Sequence, residues 1–414
     1  MRTFDYMKVK DPQYFRDGRE DAHSDHAYYA SAADMMEGSS MFTESLNGIW
    51  KFHYAKNYES AIPGFEKEEY CCADWDDIRV PAHIQMEGYD APQYANTQYP
   101  WEGREDIRPG EIPEHFNPTA SYVKYFTVPE RMQGKRLFIS FQGAESGIAV
   151  WLNGEFVGYS EDTFTPSEFE LTDYIKEGEN KLAAQVFKWT AGSWCEDQDF
   201  YRFSGIYRDV YLYTVPDVHI RDMRIRAIPD ESLEKGTLEI CTETWGKGMA
   251  RIRLGYKGQV CFEEEKALEG KNTWTWEIEK PELWSAEEPK LYDLTIEVYD
   301  ADGSLCEVIP EKTGFRRFEM KDSIMTLNGK RIVFKGVNRH EFSSVNGRCV
   351  SEEELRKDLT VMKQNNINAI RTCHYPDASL IYRLCDEYGL YMIDETNLES
   401  HGSWDTALAT GDYD

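Results

Sequence analysis

The chain has 414 residues, 41% hydrophobic and 29% charged. At roughly 150 residues per domain this suggests about three domains with real cores, and it excludes a disordered or fibrous chain. Acidic residues outnumber basic ones 75 to 46, for a net charge of -29, which argues against phosphate-neutralising nucleic-acid binding and against an anionic membrane surface. The nine cysteines are an odd number without C-x-x-C spacing, the start MRTFDYMKVKDPQYF has no long apolar run, and no stretch approaches roughly 18 apolar residues. Free thiols and no targeting segment point to a soluble, cytoplasmic protein.

Up to about residue 313 the pattern is strand after strand, punctuated by Gly, Pro and Asn. LFISFQG (137–143) is followed by IAVWLNG (148–154), which turns at Asn153-Gly154 into EFVGYS (155–160). Asn-Gly between alternating apolar runs is the strongest short hairpin signal. KLAAQVFKW and RDVYLYTV continue the style, and short antiparallel strands in this number predict a sandwich or jelly roll over 1–217. From Val218 a thinner alternation runs through MRIRAIP, TLEICTETW, ARIRLGY, TWTWEIE and LYDLTIEVYD. Its length predicts a second, immunoglobulin-like sandwich over 218–313.

After Gly314 the periodicity changes. RIVFKGVN (331–338) reads as a buried strand, and Ser351 with Glu354 as a capping box before a helix with Leu355, Leu359 and Met362 on one face. NAIRT is a second strand. Ile381, Leu384, Cys385 and Tyr388 mark a second helix stopped by Gly389, and LYMIDET (390–396) is a third strand. Strand, helix, strand, helix, strand opens a parallel α/β fold. A (β/α)8 barrel needs about 250 residues, and the third strand would present an open apolar edge. The expectation is a chain that is the front part of a longer protein, with a small open-sheet domain as the alternative.

Polar residues gather at the C-terminal ends of the three strands, where such barrels place their active sites. The first delivers Asn338, Arg339, His340 and Glu341, the second Arg371, Cys373 and His374, and the third Asp394, Glu395, Asn397, Glu399 and His401. A single histidine beside a strand is more often a packed residue than a ligand; the clustering is what points to function. Glu399 and His401 are two apart, so in an extended segment both face one way and could hold a magnesium or manganese ion with water. A solvated charge pair is the alternative. Glu196-Asp197-Gln198-Asp199 reads from composition as an acidic loop. Cys373 beside His374 suggests a thiol nucleophile, but strand neighbours point to opposite faces and nothing orients the base. Phosphate loops, G-x-S-x-G elbows, HExxH helices and zinc-finger spacings are lacking.

From SLNGIWKF (45–52) onward the chain resembles the N-terminal part of the large bacterial β-galactosidases of glycoside hydrolase family 2. The resemblance is carried by VPAHIQMEGYDAPQYANTQYPW (80–101), WLNGEFVGYSEDTFTPSEFELT (151–172), EDQDFYRFSGIYRDVYL (196–212), GVNRHE (336–341), MKQNNINAIRTCHYPD (362–377) and CDEYGLYMIDETNLESHG (385–402). It implies a jelly-roll sugar-binding domain (1–217), an immunoglobulin-like domain (218–313) and the first strands and helices of a truncated (β/α)8 TIM barrel (314–414).

Position by position, the resemblance implies that Asn96 reaches the galactose and that Asp199 contacts the sugar and helps hold Na+, replacing the acidic-loop reading. It implies that His340 and His374 line the galactosyl subsite and support the transition state, and that Glu399 and His401 ligate Mg2+ (or Mn2+). The family's acid/base and nucleophile glutamates lie further along the barrel, so no glutamate here is assigned to either role. A retaining β-galactosidase acting on galactosides such as lactose is implied for the parent enzyme, with a β-galactoside sugar as partner, no nucleic acid or membrane, and homo-oligomeric assembly. The 414-residue chain alone is expected to be inactive and poorly soluble. The rivals are another activity of the family, β-glucuronidase or β-mannosidase, and a non-catalytic sugar-binding or complementation module. The 14% aromatic content suits sugar rings, which present flat C–H faces.

Overall fold

A computed structural model describes residues 2–105, 107–108 and 110–403. The first domain is a sandwich. Its seven-stranded sheet runs, in spatial order, Arg16–Asp17, Glu155–Ser160, Gly147–Leu152, Glu179–Phe187, Thr119–Thr127, Gly48–Ala55 and Asp76–Val80. It packs against a four-stranded sheet of Ser167–Glu170, Leu137–Phe141, Val210–Thr214 and Thr43–Ser45. Leu152 pairs with Glu155 across the expected Asn153-Gly154 turn, where both residues have positive φ (53° and 85°), the combination an Asn-Gly hairpin favours.

Alternation divides the wide sheet between two cores. Ile148, Val150 and Leu152 face the other sheet with Trp50, Phe52 and Ile139. Ala149 and Trp151 face outward and are covered by the N-terminal segment, with Phe4, Tyr6 and Val9 against Phe156, Tyr159 and Phe187. Strands covered on both faces lose the polar alternation of a half-buried strand, which is why this one is apolar throughout.

The second domain is built on two long strands, Lys235–Tyr256 and Gln259–Glu279, paired along most of their length. TLEICTETW and ARIRLGY, expected as separate strands, are halves of one. The first half pairs with His219–Pro229 and the second with Tyr292–Tyr299. The register breaks between Thr244 and Lys247, at Gly246 (φ 76°), where a Cβ would lie 2.3 Å from the Asp217 carbonyl oxygen. A bend at that point lets one strand serve both layers of the sandwich, around a core shared by Ile240, Ile252, Leu268 and Leu294.

The third domain begins the parallel α/β unit: β1 (Gly336–Arg339), α1 (Glu352–Gln364), β2 (Ala369–Thr372), α2 (Ser379–Tyr388) and β3 (Tyr391–Ile393), with β2 central and both pairings parallel. The capping box is present: the Glu354 N–H donates to Ser351 Oγ at 3.3 Å and the Ser351 N–H to Glu354 Oε2 at 2.9 Å. Leu355, Leu359, Ile370, Ile381 and Leu384 form the core. Gly389 ends α2 at φ 78°, and a Cβ there would lie 2.4 Å from the Ala286 carbonyl. The neighbouring Trp284 is buried and donates its indole N–H to the Asp386 carbonyl at 2.9 Å, fixing the second domain against α2. The buried strand expected over 331–338 is corrected: the ladder of β1 begins at Gly336, and Val333 is 55% exposed. Among the described residues β1 and β3 are the edges of this sheet, so neither is covered as a central barrel strand would be. None of the described helices is long and apolar enough to cross a membrane.

Candidate functional site

Side chains at the three strand ends divide into two groups. Arg339, at the end of β1, donates to Asp377 at 2.7 Å and to Asp358 of α1 at 3.0 Å. Glu341 accepts from Arg208 of the first domain at 2.7 Å and from the Ala378 N–H at 2.9 Å. These pairs, buried except at Asp358, hold strand ends, helices and the first domain together. Burial, helped by the Glu341 charge, pushes the Asp377 carboxyl up to about 7 against the pull of Arg339 and Arg208.

His340, Cys373 and His374 form the second group, with their ligating atoms all within 4.8 Å of one another. The two imidazoles meet edge to face with centroids 5.7 Å apart. The opposite-face argument against a Cys373–His374 pairing fails because β2 ends at Thr372, and strict alternation belongs to regular strand. Desolvation, then the neighbouring His374 and Arg348, push His340 down to about 4, while the Asp199 charge opposes them. At neutral pH His340 is therefore an uncharged imidazole that exchanges hydrogen bonds with hydroxyls. His374 Nδ1 lies 3.2 Å from Glu395 Oε2 and 3.3 Å from Arg371 Nη2, and Arg371 is itself paired with Glu395. Thr372 Oγ1 receives the Glu395 N–H at 3.0 Å. Arg371, Thr372 and Glu395 thus fix the ring of His374.

The first domain supplies the facing wall. Gln93–Ala95 pairs antiparallel with Phe200–Arg202, with Ala95 opposite Phe200. That register leaves Asn96 and Asp199 as the next residues at the same end of the ladder, and Tyr94 donates its hydroxyl to Asp199. Asn96 is exposed and Asp199 partly exposed. Asp199 is near enough for its charge to act on His340, His340 meets His374, and the register sets Asn96 beside Asp199.

Glu399 and His401 join this wall through backbone. Glu196–Asp197 pairs parallel with Glu399–Ser400, Glu196 opposite Glu399. The Gly402 N–H donates to Asp197 at 2.6 Å, Gln198 Nε2 to Asn397 Oδ1 at 2.7 Å, and Asn397 to Glu196. Burial pushes the Glu196 carboxyl up to about 8, opposed by donors from Thr163 and Asn397. Glu399 Oε1 stands 3.3 Å from His401 Nδ1, and the Glu399 charge acts on the buried Asp197. Asp197 itself is held by Arg202 and the Gly402 N–H, so Glu399 and the exposed His401 are the available donors; the hard carboxylate oxygen suits Mg2+ or Mn2+.

Sequence reasoning missed the residues that join the domains. The acidic loop is split: Asp199 faces the histidines, while Glu196, Asp197 and Gln198 hold the chain after β3. Arg348, in the loop before α1, is buried against Glu145 and carried no sequence signal. Tyr94, which donates its hydroxyl to Asp199, was likewise missed, since its partner lies 105 residues away.

Three family profiles match in succession: "Glycosyl hydrolases family 2, sugar binding domain" over residues 43–216, "Glycosyl hydrolases family 2" over 218–316, and "Glycosyl hydrolases family 2, TIM barrel domain" over 318–413. A protein of Halalkalibacterium halodurans named beta-galactosidase is 53% identical over 403 residues, covering 96% of this chain and 40% of its own length. The beta-galactosidase large subunit of Leuconostoc lactis is 44% identical over 412 residues, covering 96% of this chain and 66% of its own. The solved β-glucuronidase of Bifidobacterium dentium aligns with a TM-score of 0.70 at 23% identity, over 86% of this chain and 61% of that one, a likeness of fold. The chain thus spans about 40% of the Halalkalibacterium relative. With three successive matches of one family in one order, and a sandwich, a second sandwich and a barrel opening to go with them, the chain belongs to glycosyl hydrolase family 2.

Proposed function

We propose that this chain carries the sugar-recognition wall and the divalent-cation ligands of a retaining β-galactosidase. The observation that carries the reading is the approach of Asp199 of the first domain to the barrel-strand histidine His340, itself against His374, with Asn96 beside Asp199 in the register. A neutral imidazole, a carboxylate and an amide side by side suit the hydroxyls of a neutral sugar, which needs donors and acceptors at fixed places. The names of the relatives support galactose.

A uronate would need an uncompensated cation. Among the described residues the guanidinium groups around this face are paired: Arg371 with Glu395, Arg348 with Glu145, Arg202 with Asp197, Arg208 with Glu341. That charge balance favours β-galactosidase over β-glucuronidase.

In the proposed reaction two further carboxyl groups, about 5–5.5 Å apart, act as acid/base and covalent nucleophile. Neither role is assigned to a described residue. Asn96, Asp199, His340 and His374 bind and orient the sugar and support the oxocarbenium-like transition state through hydrogen bonds that strengthen as charge develops. Glu399 and His401 would hold Mg2+, which would supply positive charge to the site, and Asp199 would help hold Na+. The name of the Leuconostoc relative supports assembly with further subunits, and we place the protein in an oligomer. Nine cysteines without a disulfide suit a reducing cytoplasm.

The test is the complete gene product on matched aryl β-galactoside, β-glucuronide and β-mannoside. The galactoside should lead in kcat/KM by at least about 100-fold, since sites built to hydrogen-bond a substrate hydroxyl discriminate by about 10,000-fold or more. Preference for either other glycoside would overturn the reading. The 414-residue chain alone should show no turnover above a buffer blank, and turnover there would overturn the assignment of acid/base and nucleophile to other segments.

A further inference from the structure

We propose that His340, Cys373 and His374 form a binding site for a soft divalent cation, with Zn2+ as the probe, and that the bound metal and the sugar exclude each other. The metal site stands on geometry alone; the exclusion rests on the sugar reading above.

Two imidazoles and one thiol have their ligating atoms within 4.8 Å of one another. Around a tetrahedral zinc with Zn–N of about 2.0 Å and Zn–S of about 2.3 Å, such atoms stand about 3.3–3.6 Å apart. Side-chain rotations of about 1 Å would close the set. His374 Nδ1 lies 3.2 Å from the Glu395 carboxylate and 3.3 Å from Arg371 Nη2; in the tautomer whose Nδ1–H donates to Glu395, the pairing that metal-bound histidines use, Nε2 is the nitrogen that would take the metal. Cys373 is anchored through its backbone N–H, which donates to the Arg339 carbonyl at 3.1 Å. A fourth position stays open to water or a hydroxyl on the exposed side of His340.

Donor chemistry separates this set from Glu399 and His401. A thiolate and two imidazoles select Zn2+ or copper and leave Mg2+ unbound, whereas the carboxylate of the other pair accepts Mg2+. On binding, Cys373 forms a sulfur–metal bond and releases its thiol proton to solvent, with no change of oxidation state. The metal would occupy the side of His340 and His374 that faces Asp199, where a galactose hydroxyl would otherwise bond.

The experiment uses the complete gene product saturated with Mg2+ and titrated with Co2+, a spectroscopic stand-in for Zn2+, then with Zn2+ itself. A thiolate-to-cobalt charge-transfer band should appear and be displaced by Zn2+. It should vanish in Cys373→Ser, and His340→Ala should weaken Zn2+ binding about tenfold or more. No band in the parent protein, or a band that survives Cys373→Ser, would overturn the site; if that variant does not fold, undiminished Zn2+ affinity in His340→Ala would overturn it. Saturating galactose should shift the Co2+ titration to higher concentration. A band that galactose leaves untouched would overturn the exclusion and count against the sugar reading, with the metal site still standing.

Discussion

The Arg348 guanidinium and the Glu145 carboxylate, 203 residues apart in sequence, meet at 2.5 Å with both side chains buried. Arg348 also donates to the Tyr201 carbonyl at 2.5 Å and lies among the rings of Phe164, Phe200, Phe203 and Tyr375, at 4.3 to 5.4 Å from their centroids. Its backbone N–H donates to His83 Nε2 at 3.1 Å. One barrel-loop side chain therefore ties together the strand that ends in Glu145, the loop carrying Asp199, and the Tyr375 that follows His374. The geometry of the subsite depends on this residue although it lines none of it.

Removing one partner of such a pair leaves a buried charge uncompensated, which costs about 3–5 kcal/mol. Arg348→Ala should lower stability by that amount in urea unfolding, with Glu145→Gln costing less. A loss below 1 kcal/mol for Arg348→Ala would show that the contact carries little.

Glu161 gives a pH signature. Burial pushes its carboxyl up to about 7 from the ordinary 4.5, against donors from Tyr159, Gly192 and Thr190. A carboxyl with a raised folded-state pKa keeps a proton that the unfolded chain releases, so this group's contribution to stability falls as pH rises from about 4.5 to about 7. Glu161→Gln should flatten that slope, read as urea midpoints at pH 5 and pH 7.5. An unchanged slope would exclude Glu161 as its source.

Thiol labelling tests the cysteines. Cys71, Cys195 and Cys261 are exposed, whereas Cys72, Cys373 and Cys385 are buried. Three thiols should react early with an aromatic disulfide reagent under native conditions and all nine after unfolding. Fewer than nine in the unfolded chain would reveal a disulfide.

In the complete gene product, Asp199→Asn, His340→Ala and His374→Ala should each lower kcat/KM by about 10–100-fold, the value of a hydrogen bond to a charged or polarised group. Asn397→Ala should act differently. It removes the amide that bridges Gln198 and Glu196, so it should raise the Mg2+ concentration needed for half-maximal activity. Unchanged Mg2+ dependence would mean that Asn397 does not position the Glu399–His401 segment.

Local rules carried the reading where the chain itself decides the outcome. The Asn153-Gly154 turn, the Ser351–Glu354 capping box and the Gly389 stop each depend on residues within a few positions of one another. The apolar faces of α1 and α2 were equally legible, because helical spacing fixes which side chains share a side. Reading failed where the partner lies far off. The run 331–338 is apolar enough for a buried strand, yet only its end is paired; TLEICTETW and ARIRLGY became one strand because pairing to the same neighbour resumes after the register shift at Gly246. The opposite-face rule for Cys373 and His374 did not apply once the strand had ended.

The sequence by itself determined the order of domains, the two helices and the cluster of polar residues at three strand ends, since patterning, caps and turns are short-range. Tertiary structure alone decided which of those residues share a site. It turned Arg339 and Glu341 inward as structural pairs, split the EDQD run so that Asp199 faces His340 while Glu196 opposes Glu399, and placed Arg348 between domains. The physical reason is that burial and pairing of charge depend on atoms brought together from as much as 200 residues away. Nothing in the local alphabet of the chain specifies which carboxylate will meet which guanidinium.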